Sequence, residues 1–165
     1  MALLTDAKVW KSKEGGSYVA SRYRIKDGTQ LYEGQFVELD AGGDLIPFAA
    51  TAGGSAGNGI PLGRVMPTKS DREDATYLKG DTTAPRPEAI VFTGSEVLMD
   101  EAVTGVAGQA DVGKLVYLDA TGTAGDRTLT LTSTTNGKPL GRVDRFLTGT
   151  RCDVATFDFP TRGSY

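Results

Sequence analysis

The chain has 165 residues, 39% of them hydrophobic, with 22 glycines and a formal net charge of −3. That length suits one ordinary domain and is enough to bury a core without disulfide or metal staples. The charge excludes the cationic, phosphate-seeking surface of a nucleic-acid-binding protein, and the absence of histidine removes the commonest general base and zinc ligand.

The chain opens on Met1-Ala2-Leu3-Leu4-Thr5-Asp6, an apolar run too short for a signal peptide. No stretch approaches the roughly 18 apolar residues of a membrane-spanning helix. The protein is therefore expected to be made and used without crossing a membrane. Residues 1–30 hold six basic side chains against Asp6, Glu14 and Asp27, a local charge of +3 that leaves −6 for the remainder. Within this segment Trp10, Tyr18 and Tyr23 lie among Lys11, Lys13 and Arg22. Trp, Tyr and Arg are the residue types enriched at binding hot spots. Residues 1–27 are read as an N-terminal arm that binds a partner through Trp10, Lys11, Lys13, Tyr18, Arg22 and Tyr23. The competing reading is an ordinary first strand of the domain.

From Gly34 onward the pattern is one of strands and turns. Val37 and Leu39 alternate with Phe36 and Glu38, which predicts a strand that offers the first pair to a core. Asp40-Ala41-Gly42-Gly43 follows with turn chemistry, Asp bonding locally and Gly accepting positive φ. Leu45–Phe48 reads as the returning strand. Thr51–Gly59 is a glycine-rich loop, and Thr68–Pro87, charged and rich in proline, reads as a surface link. Strands are expected at Ala89–Thr93 and Glu96–Met99, then at Thr128–Thr132 and Asp153–Phe159. No segment sustains a helical period over three turns.

The most informative feature is an internal repeat. Asn58-Gly59-Ile60-Pro61-Leu62-Gly63-Arg64-Val65 returns as Asn136-Gly137-Lys138-Pro139-Leu140-Gly141-Arg142-Val143, identical at seven of eight positions. Upstream, Gly34–Ala41 is echoed by Gly113–Ala120 at five of eight, and the two matches are 24 and 23 residues apart in the two halves. A period of about 78 residues, in two copies only, exceeds that of solenoids and propellers. The domain is expected to be all-β, a small barrel or sandwich with long loops. It is divided into the arm, residues 1–27, and a β-domain, residues 28–165, made of two repeats at about 28–100 and 105–165.

Catalytic and metal-binding constellations are not apparent. Ser55 and Ser95 lack the Gly-x-Ser-x-Gly elbow of a nucleophile. Gly53, Gly54, Gly57 and Gly59 lack the lysine and helix start of a phosphate loop. Asp71, Glu73 and Asp74, and the pair Asp100–Glu101, do not match the calcium-loop spacing. Cys152 is the single cysteine, so no intrachain disulfide forms, and a strand-like setting predicts a buried, inert thiol. No catalytic residue, cofactor or metal is assigned, and no enzymatic activity is expected.

A duplicated unit with a Gly-x-x-Val-x-Leu strand, at Gly34 and Gly113, followed by Leu62-Gly63-Arg64-Val65 and Leu140-Gly141-Arg142-Val143, resembles the capsid decoration (cement) proteins of tailed bacteriophages. The resemblance covers roughly residues 28–160. It implies a virion protein on the outer capsid surface, made in the host cytoplasm, that bridges neighbouring subunits of the major capsid protein and stabilises the shell. It further implies a homo-oligomer, a trimer, with no nucleic-acid or membrane partner. Two other readings stay open: a phage tail, baseplate or fibre component, and a carbohydrate-binding β-domain.

Overall fold

A computed structural model of the chain describes residues 20–48, 63–65, 77–83, 85–119, 128–133 and 139–157. Among these the strands are β1 (Ala20–Arg24), β2 (Gln30–Tyr32), β3 (Phe36–Leu39), β4 (Leu45–Pro47), β5 (Gly63–Val65), β6 (Tyr77–Lys79), β7 (Glu88–Phe92), β8 (Val97–Thr104), β9 (Leu115–Asp119), β10 (Thr128–Thr130), β11 (Gly141–Thr148) and β12 (Arg151–Thr156). One 3-10 turn, Gln109–Asp111, precedes β9. The fold is all-β, as expected.

Two five-stranded sheets and one two-stranded sheet, β2-β6, organise the described strands. The first runs β1-β7-β5-β3-β4, and the second is a closed barrel, β10-β8-β12-β11-β9. A single parallel bridge, Ile25 to Leu45, joins the two edges of the first sheet. The barrel closes through a parallel pair at the matching place, Leu129 opposite Val103. Registers match as well. Val37 lies opposite Gly63 and Phe36 opposite Arg64, while Val116 lies opposite Gly141 and Leu115 opposite Arg142. Leu39 faces Leu45 as Leu118 faces Leu129.

The recurring sequence blocks have local physical causes. Gly34 and Gly113 have φ of 77° and 88°. Each is the third residue of a turn closed by Gln35 N–H to Tyr32 O at 3.1 Å, or by Lys114 N–H to Asp111 O at 3.0 Å. A type II turn demands positive φ there, which glycine adopts at little cost. Gly63 and Gly141 serve a different need. A Cβ on either would sit 2.1 Å from a backbone oxygen, that of Phe92 or of Ala155, so only glycine lets the paired strands approach so closely. The turn after β3 is pinned as its composition predicts: Asp40 Oδ1 accepts from Gly42 N–H at 2.8 Å and Asp44 N–H at 2.9 Å. The corresponding turn after Asp119 lies outside the described residues, as do the loop 51–59 and both Asn-Gly pairs.

Two clusters form the interior. Tyr23, Ile25, Leu31, Val37, Leu45, Val65, Ala89 and Val91 fill the first sheet. Leu98, Val103, Val106, Val116, Leu118, Leu129, Leu140, Val143, Cys152 and Val154 fill the barrel, and Phe36 and Phe48 of the first sheet join them. Side chains of β3 therefore enter both clusters, Val37 on one face and Phe36 on the other, and Glu38 is buried too. The alternation correctly placed Val37 and Leu39 on one face, but the opposite face is covered rather than wet.

Three segments differ from expectation. Residues 20–24, assigned to the arm, form β1, which pairs along its length with β7. Their pattern, Tyr23 and Ile25 alternating with Arg22, Arg24 and Lys26, is that of a half-buried strand. Within the stretch read as a link, Tyr77–Lys79 forms β6 on β2, and Leu78 packs on the first core. The strand expected at Glu96–Met99 starts at Val97 and runs on to Thr104. It carries one extra residue, because Leu98 pairs with Val154 but Glu101 with Cys152. The bulge places Asp100 at φ 55°, a conformation that Asp tolerates better than most side chains.

Candidate interaction surface

Four strands of the barrel bring Leu115, Arg142, Ala155 and Val97 into one row. Each is paired with the next, on the face turned away from the interior. The corresponding row of the first sheet is Phe36, Arg64, Phe92 and Ala20. Backbone geometry is shared, yet solvent access is not. Phe36 is 2% exposed and Leu115 43%.

The buried row owes its cover to the barrel. Phe36 packs in the barrel's cluster. Arg64 forms a two-point ion pair with Glu96, its Nε bonded to Oε1 and its terminal nitrogen 2.9 Å from Oε2. The guanidinium carbon also stands 5.5 Å from the centre of the Phe92 ring, within cation–π range. Glu96 is fixed in turn, its N–H donating to Thr156 Oγ1 at 2.9 Å.

On the barrel's own row the matching groups face solvent. Arg142 is exposed. Leu115, Val112 and Phe157 are all large apolar side chains more than a third exposed, and Phe157 is held beside β11 by its N–H to Leu140 O at 3.0 Å. Next to them Lys114 Nζ lies 2.7 Å from Asp111 Oδ1. Asp111 Oδ2 accepts from Ala107 N–H at 2.7 Å and Gly108 N–H at 3.1 Å. The lysine first, then these amides, hold the Asp111 carboxyl down at about 2. The result is a partly apolar strip bordered by Arg142 and by the Lys114–Asp111 ion pair.

At the opposite end of β11 the polar groups brace one another. Asp153, buried, accepts from Asp100 N–H at 2.9 Å and from Arg145 Nε at 2.9 Å. Arg151 bonds the side chain and carbonyl of Asp100. In the first sheet Lys26 pairs with Asp40 and Arg24 with Asp44. Carboxylates held in this way act as structural struts. Among the described residues no group of three or more His, Cys, Asp or Glu side chains is placed to hold a metal ion, and no helix is long and apolar enough to cross a membrane. Cys152 is fully buried, as expected, and burial pushes its thiol up to about 11.

Of the residues singled out for partner binding, Trp10, Lys11, Lys13 and Tyr18 lie outside the described residues. Arg22 is exposed on β1, but Tyr23 is buried in the first core, since it points inward from a paired strand. The repeat does not mark the exposed strip on β9, because the matched positions single out the inward Val116 and Leu118. Its signal was the apolar Leu115 on the outward parity of the same strand.

Comparison with protein-family models and with curated protein sequences gives no match. Among solved structures the fold matches a chain of the capsid of the Myoviridae phage XM1. The TM-score is 0.52 at 15% identity, over 97% of this chain and 96% of that one. This chain shares the fold of a phage capsid chain. The match spans nearly the full length of both molecules, so it concerns the whole architecture and not one small barrel motif.

Proposed function

We propose that this protein is a structural component of a phage head that binds the outer surface of the assembled capsid. It bridges neighbouring copies of the major capsid protein and so stabilises the shell. The observation that carries this reading is the full-length fold match to a chain of the phage XM1 capsid. The cement-protein pattern at Gly34 and Gly113 and at the two Leu-Gly-Arg-Val blocks supports it. The repeated blocks and the matched registers are read as a duplicated unit. Its role is binding without catalysis: the chain has no histidine, and Asp40, Asp44, Glu96, Asp100, Asp111 and Asp153 brace the fold. The basic, aromatic segment before β1, with Trp10, Lys11, Lys13 and Tyr18, serves as a capsid contact. Purified protein should co-sediment, saturably, with heads assembled without it. Failure to bind heads from the phage that carries the gene would refute the reading.

A further inference from the structure

We infer that the exposed row of the barrel, centred on Leu115 and Arg142, is the docking site of this chain's own residues 158–165. Asp158 meets Arg142, and Phe159 covers Leu115. The inference rests on the geometry of the two units and stands apart from the capsid reading.

The two units present an arginine at the same register. Arg64 lies opposite Phe92, and Arg142 lies opposite Ala155. In the first unit the chain leaving β7 supplies the counter-charge: Glu96, four residues after Phe92, bonds the Arg64 guanidinium at two points. In the second unit the chain leaving β12 carries Asp158, three residues after Ala155. Arg142 itself is exposed, and no carboxylate among the described residues is paired with it. Lys114 is already engaged by Asp111, so Arg142 is the cation of the row that is left for Asp158. The chain sets out from the right place, since Phe157 is held beside β11 by its N–H to Leu140 O at 3.0 Å. The reach suffices as well. Leu115 lies two strands from Ala155, about 10 Å at the usual strand spacing, and an extended stretch from Ala155 to Phe159 covers up to about 13 Å. Leu115, Val112 and Phe157, all more than a third exposed, give the Phe159 ring an apolar seat. Pro160 follows it and has no N–H for a ladder, which suits a segment laid across the strands rather than paired alongside one.

Disulfide trapping in the full chain tests this. Leu115→Cys is combined with Phe159→Cys, and the dilute protein is oxidised mildly; the native Cys152 is buried and does not compete. An intramolecular disulfide, read by non-reducing electrophoresis and peptide mass, should form. The control pairs Phe159→Cys with Leu147→Cys, an equally accessible position at the far end of β11. Closure at Leu115 should be faster than in the control by about tenfold or more. Arg142→Glu or Asp158→Arg, added singly, should slow closure at Leu115 by about threefold, and the two together should restore it. If Leu115→Cys melts early, Val112→Cys takes its place with the same expectation. Equal closure at Leu115 and Leu147 overturns the inference, as does a disulfide that forms only between molecules. Charge reversals that leave closure unchanged overturn it too. The readout uses no phage heads, so failure of head binding removes the capsid role and leaves this result standing.

Discussion

Arg64 and Glu96 tie the first sheet to the barrel through a two-point ion pair whose side chains are only 16% and 7% exposed. One partner lies on β5, and the other stands just before β8. A pair so sheltered from water is costly to break, because the survivor keeps its charge without its counter-charge.

Arg64→Ala is accordingly expected to lower stability by about 2–4 kcal/mol, read by urea denaturation. Removing Glu96 as well should cost less than the sum of the single changes, since neither charge is then stranded. Strict additivity in that cycle would show that the two side chains do not act as a pair.

The glycines divide into two classes with different penalties. Gly141→Ala and Gly63→Ala drive a Cβ to 2.1 Å from a backbone oxygen, which no rotamer relieves. Each should destabilise by about 3 kcal/mol or more. Gly113→Ala meets nothing within 4 Å and opposes only its positive φ, so about 1–2 kcal/mol is expected. Comparable losses at Gly113 and Gly141 would contradict the close-approach explanation.

Leu118 is fully buried in the barrel cluster, whereas its register counterpart Leu39 is only partly buried against the first core. Leu118→Ala should cost about 2–5 kcal/mol. Leu39→Ala should cost clearly less, because part of its surface is wet before the change. Equal costs, measured on the same denaturation curves, would argue against this difference in burial.

Acid should weaken the loop before β9. The Lys114 bond, then those from the Ala107 and Gly108 amides, lower the folded Asp111 carboxyl from 3.8 to about 2. Asp40 is lowered too: burial pulls it upward, but the amides of Asp44 and Gly42 together with Lys26 outweigh that. A carboxyl lowered on folding contributes stability that is present above its unfolded value. That contribution disappears as pH falls from about 3.8 towards 2. Asp111→Asn should therefore flatten the acid limb of a stability–pH curve measured across this window. An unchanged acid limb would show that Asp111 is not coupled to folding.

Cys152 should resist thiol reagents in the folded protein, since it is buried and its thiol is pushed up to about 11. One equivalent should react after denaturation. Rapid labelling of the native protein would mean that β12 opens readily.

Much of the fold was legible because β-structure writes a period of two into the chain. The inward residues Val37, Val116, Leu118 and Val154 follow from it, and the glycine blocks marked the turns and close strand pairs. What stayed hidden depended on neighbours distant in sequence. Nothing local tells that Phe36 is covered by the barrel while Leu115 is not, since both are apolar residues on the outward parity of matching strands. Tyr23 was hard to place for a related reason: its basic neighbours mark the solvent side of β1 as readily as a free arm. The pairing of β6 with β2 was masked by the charges and prolines around Tyr77–Lys79.

Cryo-electron microscopy of phage heads carrying this protein tests the proposed role on the outside of the shell. Density for both five-stranded units is expected on the outer surface, seated across neighbouring capsid subunits and absent from heads made without the gene. Density inside the shell or in the tail, or two head reconstructions that do not differ, would contradict it.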